Sequence, residues 1–240
     1  MKTNYCIAVF VVLTTLLGSV FFVEGHADET DATASGDDGD IHWEISDGTL
    51  TISKKEGATS GKMNDYDDNL PPWLHSSEDG PKFIQDVSRV IISGDVTYVG
   101  NYSFFAVIDE YEVTISDSVT KIGKGAFLTS AMQSVTLGNC VEEIEKDAFS
   151  ATCIESIVIP ASVKTIGEDA FRNSMGPDSG TVSFLTTVWD INIGVNAFLL
   201  QDGGTPTVFS IHSKDILQKT NLQSQRKEQC SYTSHCRHTV

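Results

Sequence analysis

Between Val96 and Phe171 the chain repeats a ten-residue phrase. SVTKIGKGAF (Ser118–Phe127), CVEEIEKDAF (Cys140–Phe149) and SVKTIGEDAF (Ser162–Phe171) each place an Ile three residues after a Val and a Phe five residues after the Ile, with Ala before the Phe. Ile122, Ile144 and Ile166 lie 22 residues apart. An earlier copy, DVTYVGNYSF (Asp95–Phe104), is offset by 23, and a later one, INIGVNAF (Ile191–Phe198), by 27. A unit of this length cannot bury its apolar side alone and must stack on its neighbours, so the period dictates a solenoid.

A short alternating segment precedes each copy: Val90/Ile92, Val113/Ile115, Val135/Leu137 and Ile157/Ile159. In each, the first residue stands nine before the Val or Ile of the repeated phrase. That constant separation predicts strands stacked in register as one parallel sheet, with about six strands at a spacing of ~4.8 Å. The GKGAF-like segments supply the return crossover and have room for no more than one or two helical turns. Phe104, Phe127, Phe149, Phe171 and Phe198 then fall at one place in successive coils, an internal aromatic stack worth about 2–3 kcal/mol per buried ring. Period-2 geometry sends the intervening residues outward: Arg89, Ile91, Glu112, Thr114, Ser116, Ser134, Thr136, Ser156 and Val158.

The repeated phrases, with strands such as SIVIP between them, resemble the BspA-like leucine-rich repeat, in which Ile, Val or Phe often stand at the Leu positions. WEISDGTLTIS, followed by Asp65-Tyr66 and Pro72-Trp73, is similar to the segment that often precedes these repeats in large cell-surface proteins. The resemblance covers about residues 41 to 212. It implies a short leucine-rich-repeat solenoid, β-rich and α+β-like in class, and adhesion in some relatives. Two features depart from it: Glu145 replaces the turn Gly, and the fifth coil carries the insertion RNSMGPDSG and has Asp190 where a Val is expected.

The remaining segments divide the chain. Residues 1–27 read as a signal peptide, with Lys2, an apolar run from Tyr5 to Val23 and a small-x-small exit at Gly25-His26-Ala27; a membrane anchor is the alternative if it is not cleaved. Residues 28–40 hold six acids and no apolar residue larger than Ala, and are expected to be a disordered linker. Residues 41–84 form an N-terminal capping unit built on a β-hairpin across Asp47-Gly48. The repeats occupy 85–212. Residues 213–240 form a closing segment, with Ser213 as a helix cap, and a polar tail.

No catalytic constellation stands out. H-E-x-x-H, G-x-S-x-G and a phosphate loop are all missing, and neither cofactor nor metal is expected. With 33 acidic against 16 basic side chains, nucleic acid is not an expected partner. Cys140 and Cys153 read as small core residues, and Cys230 and Cys236 as a disulfide in the tail. Asn101-Tyr102-Ser103 is a glycosylation sequon. The expected function is a secreted or cell-surface recognition module, non-catalytic, binding an extracellular protein or glycan through the outward strand residues. A structural wall or matrix scaffold, self-associating or ion-dependent, is the alternative; a flat ice- or mineral-binding Thr array finds only Thr114 and Thr136 in register.

Overall fold

The first three strands, β1 (Ala34–Asp38), β2 (Ile41–Ser46) and β3 (Thr49–Lys54), make an antiparallel ribbon. Asp47 and Gly48 both take positive φ, 49° and 69°, the two-residue turn whose twist suits a hairpin. Trp43, Ile45, Leu50 and Ile52 point into the core, as their alternation requires. The computed structural model describes residues 33–174, 181–185 and 191–199 and the backbone of 208–211. The signal segment, most of the insertion after Phe171, Asp190, the closing segment with Ser213, and Cys230 and Cys236 lie outside the described residues.

Strand β1 corrects the expectation of a disordered linker over 28–40 for residues 34–38; residues 28–32 lie outside the described residues. The backbone of β1 pairs with β2 along all five residues, and its carboxylates find partners. Asp37 binds His42 and Lys55 at 2.8 and 2.9 Å, Asp38 accepts from Asn64 and from the Tyr66 hydroxyl, and Asp40 accepts from Ser60. Lys55 and His42 together hold the Asp37 carboxyl below its ordinary range. Gly36 lies opposite Trp43, and a Cβ there would meet the indole nitrogen at 3.0 Å. The segment needs no apolar side chain of its own because its bare backbone covers one.

A small antiparallel pair, β4 (Leu74–Ser76) and β5 (Pro81–Phe83), leads into the coils. Each coil then contributes one longer and one two-residue strand. These are β6 (Arg89–Ile92) with β7 (Tyr98–Val99), β8 (Tyr111–Ile115) with β9 (Lys121–Ile122), and β10 (Met132–Thr136) with β11 (Glu143–Ile144). There follow β12 (Ser156–Ile159) with β13 (Thr165–Ile166), β14 (Thr181–Phe184) with β15 (Asn192–Ile193), and β16 (Val208–Ile211). The longer strands stack in parallel, β3-β6-β8-β10 and then β12-β14-β16, with Val90↔Val113↔Val135 in register. The predicted sheet is thus divided between β10 and β12, and β10 carries a bulge between Met132 and Ser134. The two-residue strands form a second parallel sheet in the order β15-β13-β11-β9-β7. Ile166↔Ile193 places the fifth coil in register despite its longer spacing.

Among the described residues, the third side of the coils contains no helical turn. Residues two before and two after Phe104, Phe127, Phe149 and Phe171 are left-handed: Tyr102 and Ala106, Gly125 and Thr129, Asp147 and Ala151, Asp169 and Asn173 all have φ between 54° and 57°. That alternation breaks any right-handed run. It also aims the amides along the solenoid. Phe104 N–H donates to the Ala126 carbonyl, Phe127 to Ala148, Phe149 to Ala170 and Phe171 to Ala197, each at 2.7–2.8 Å.

Between these three sides lies one apolar core. The five repeat rings stack with centroids 5.1–5.2 Å apart and planes within 7° of parallel, and all are buried. Trp73 continues the column at its N-terminal end, 5.8 Å from Phe104, and its indole N–H donates to the Ser103 carbonyl. Phe149→Ala removes a ring from the middle of the column and is expected to lower stability by about 3–5 kcal/mol, read by thermal or denaturant unfolding. Ala151→Gly, at an exposed left-handed position, is expected to raise it by about 0.5–1 kcal/mol.

Candidate functional site: the outer strand face

Stacking in register turns scattered residues into rows. Across β6, β8 and β10 one row reads Arg89, Glu112, Ser134 and the next reads Ile91, Thr114, Thr136. All are exposed except Ile91, which is half-buried. Ser156 and Val158 begin the corresponding rows of the following sheet, opposite Thr181 and Ser183. Ser116 differs from the other predicted face residues. It is a half-buried corner residue whose hydroxyl is committed to the Ser93 carbonyl at 3.0 Å and to Ser118 at 2.7 Å.

Four residues of these rows were not read as part of them from sequence. Thr49 and Thr51 enter because β3 pairs in parallel with β6, Thr49↔Arg89 and Thr51↔Ile91. The signal was present as Thr-Leu-Thr-Ile, apolar inward and hydroxyl outward. Thr181 and Ser183 follow an insertion that conceals their spacing. The first sheet therefore presents its rows over four parallel strands, while the C-terminal part adds two exposed apolar residues, Val158 and Leu185, at 49% and 51%.

The two-residue strands face elsewhere and carry charge. Lys121 bridges Glu143 at 3.2 Å and Glu145 at 2.6 Å, Lys146 bridges Glu168, and Lys164 bridges Glu142. The Lys121 and Lys146 ammonium groups are held above their ordinary range by these carboxylates. Glu145, the departure from Gly, is accommodated because its other oxygen accepts from the Lys124 amide at 2.9 Å. In the next coil a Cβ at Gly167 would run into the Lys146 amide at 2.4 Å. Burial raises the Asp147 carboxyl, reinforced by Asp169 and Glu168.

The Asn101 side chain is half-buried. Its Oδ1 accepts from the Lys124 amide at 2.8 Å and the Tyr98 hydroxyl at 2.9 Å, and the Ser103 hydroxyl is buried against the Gly100 carbonyl. A glycan at this sequon would have to be attached before the coil closes. Cys140 and Cys153 are exposed free thiols rather than core residues. Cys140 takes the corner position of Ser118 and Ser162 in neighbouring coils, outside the packed strand. Among the described residues no three His, Cys, Asp or Glu side chains gather into a group that could hold a metal ion. His42 and His75 belong to separate strands.

Residues 83–198 match the BspA type leucine rich repeat region in six copies. A leucine-rich repeat protein of Eubacterium ventriosum is similar to this chain with a TM-score of 0.57 at 22% identity, covering 77% of this chain and 45% of that one. One of Bacteroides capillosus gives 0.30 at 24% identity, over 62% of this chain and 97% of that one. A leucine rich cell surface protein of Faecalibacterium prausnitzii gives 0.36 at 19%, over 75% and 55%. The chain spans less than half the length of the first of these structures. No curated protein matches it. Thr114→Arg and Thr136→Arg, at exposed strand positions whose side chains make no hydrogen bond among the described residues, are each expected to change stability by no more than about 0.5 kcal/mol in an unfolding titration.

Proposed function

We propose, from a chain whose repeat region belongs to the BspA-type leucine-rich repeats, an exported or surface-displayed recognition module that binds an extracellular protein or glycan without a catalytic step. The observation that carries this reading is the pair of aligned rows on the outer strand face. Most of their side chains are polar, and all but Ile91 among those of β6, β8 and β10 are exposed. Such a face offers hydrogen-bonding groups at fixed spacing on a rigid support, which is how stacked repeats engage partners. Binding or adhesion is consistent with a region of BspA type leucine rich repeats. Export rests on the apolar run and small-residue exit of residues 1–27.

The test is a binding screen of the full chain against extracellular matrix proteins and a glycan array. The double variant Thr114→Arg/Thr136→Arg is compared at equal thermal stability. A partner whose affinity drops at least about tenfold in that variant supports the strand face. A partner bound equally well by both proteins places recognition elsewhere on the molecule.

A self-associating scaffold is the second reading, and the exposed Val158 and Leu185 favour it. Sedimentation velocity over a concentration series separates the two. Association abolished by Val158→Glu supports the scaffold, and a monomer at every concentration removes it.

A further inference from the structure

The geometry points to a second recognition site, for a neutral oligosaccharide, in the groove between the N-terminal ribbon and the two-residue-strand sheet. The groove has a volume of about 700 Å³, within the range that accommodates small ligands. Thr97 and Tyr98 of the first coil and Thr120 of the second line one side, and Asp40, Lys62 and Asn64 line the other. It is a different surface from the outer strand rows, and none of its residues was singled out as a site from the sequence.

The chemistry of the lining selects the ligand class. Two threonine hydroxyls, the Asp40 and Asp65 carboxylates, a carboxamide and the Lys62 and Lys121 ammonium groups give donors and acceptors side by side, the mixture that adjacent sugar hydroxyls require; Asp40 also accepts from Ser60, Asn64 donates to Asp38, and Lys121 is paired with Glu143 and Glu145. Lys62 is exposed and has no ion-pair partner among the described residues. Tyr98 supplies a flat element. Its hydroxyl is held by Asp65 at 2.7 Å and Asn101 at 2.9 Å, and it reaches to 2.7 Å from where a Cβ on Gly123, in the next coil, would stand. The half-buried ring is therefore laid along the sheet and fixed at its far end, an amphipathic surface against which the C–H face of a sugar ring can rest. Asp40 and Asp65 balance Lys62 and Lys121 in the lining, and the net charge of −17 on the chain disfavours a polyanion. Met63 is buried, so the groove lacks the exposed apolar anchor that a peptide would use.

The experiment titrates the full chain with maltohexaose, cellohexaose, xylohexaose and chitotetraose, followed by saturation-transfer NMR and calorimetry. Thr120→Arg, which fills the groove from an exposed position, and Lys62→Ala are the variants, and Thr114→Arg is the control; circular dichroism and melting curves verify that each is folded. At least one sugar is expected to bind with a dissociation constant of about 1 mM or tighter. That binding should weaken at least about tenfold in Thr120→Arg, weaken in Lys62→Ala, and persist in Thr114→Arg. The proposal is overturned if no sugar of the panel binds, or if binding survives Thr120→Arg. It is equally overturned if Thr114→Arg abolishes binding, a result that assigns the sugar to the outer strand face and leaves that reading standing.

Discussion

Phe104, Phe127, Phe149 and Phe171 are each held in two ways at once, and the rest of the solenoid depends on that coincidence. Each ring stacks on the ring one coil away at 5.1–5.2 Å, close to the ~4.8 Å that separates neighbouring strands. Each amide donates to the carbonyl of the Ala that precedes the next Phe. Ring spacing and backbone spacing agree, so the aromatic column and the hydrogen-bond ladder reinforce one register. Ala is small enough to bring its carbonyl that close, and Ala126, Ala148, Ala170 and Ala197 are all fully buried. The left-handed residues on either side turn the amides along the solenoid; for non-glycine residues that conformation costs about 1–2 kcal/mol, which the ladder and the ring contacts offset.

This arrangement separates what the repeat fixes from what it leaves open. Inward positions must match in every coil, and they do: Val99, Ile122, Ile144 and Ile166 are buried at equivalent places. Outward positions only need to fit a neighbour one strand away. They range from Arg89 to Glu112 to Ser134 in a single row. The proposed recognition therefore uses positions at which the fold has no preference. Two surfaces have that freedom, the exposed rows of the long strands and the polar groove where the N-terminal ribbon meets the short strands.

Much of the fold was legible in the sequence because the repeat is long and its residues are apolar. The strand register, the aromatic column and the Asp47-Gly48 turn could all be read from spacing. Strand β1 could not, since ASGDD has no hydrophobic signature. It is held by paired carboxylates and by a glycine laid against Trp43, partners up to 28 residues away in sequence. The crossover also escaped, because Asp147 and Ala151 give no local sign that they are left-handed; only the ladder they serve explains them. Of the proposed face, the rows across β6, β8 and β10 were visible by alternation. Ser116 was misplaced because alternation does not reveal where a strand turns its corner, and Thr49 and Thr51 were missed because the hairpin appeared to end the sheet rather than begin it. The groove was invisible, being assembled from Asp40, Lys62 and Thr120, which have no common pattern.

The central claim is that successive coils are coupled through the Phe column rather than merely adjacent. A double-mutant cycle on Phe127 and Phe149, with each ring replaced by Leu singly and together, measures that coupling by equilibrium unfolding. The stacked geometry predicts a favourable interaction energy of about 0.5–1.5 kcal/mol between the two positions. Strictly additive losses, with an interaction energy of zero, would contradict the account.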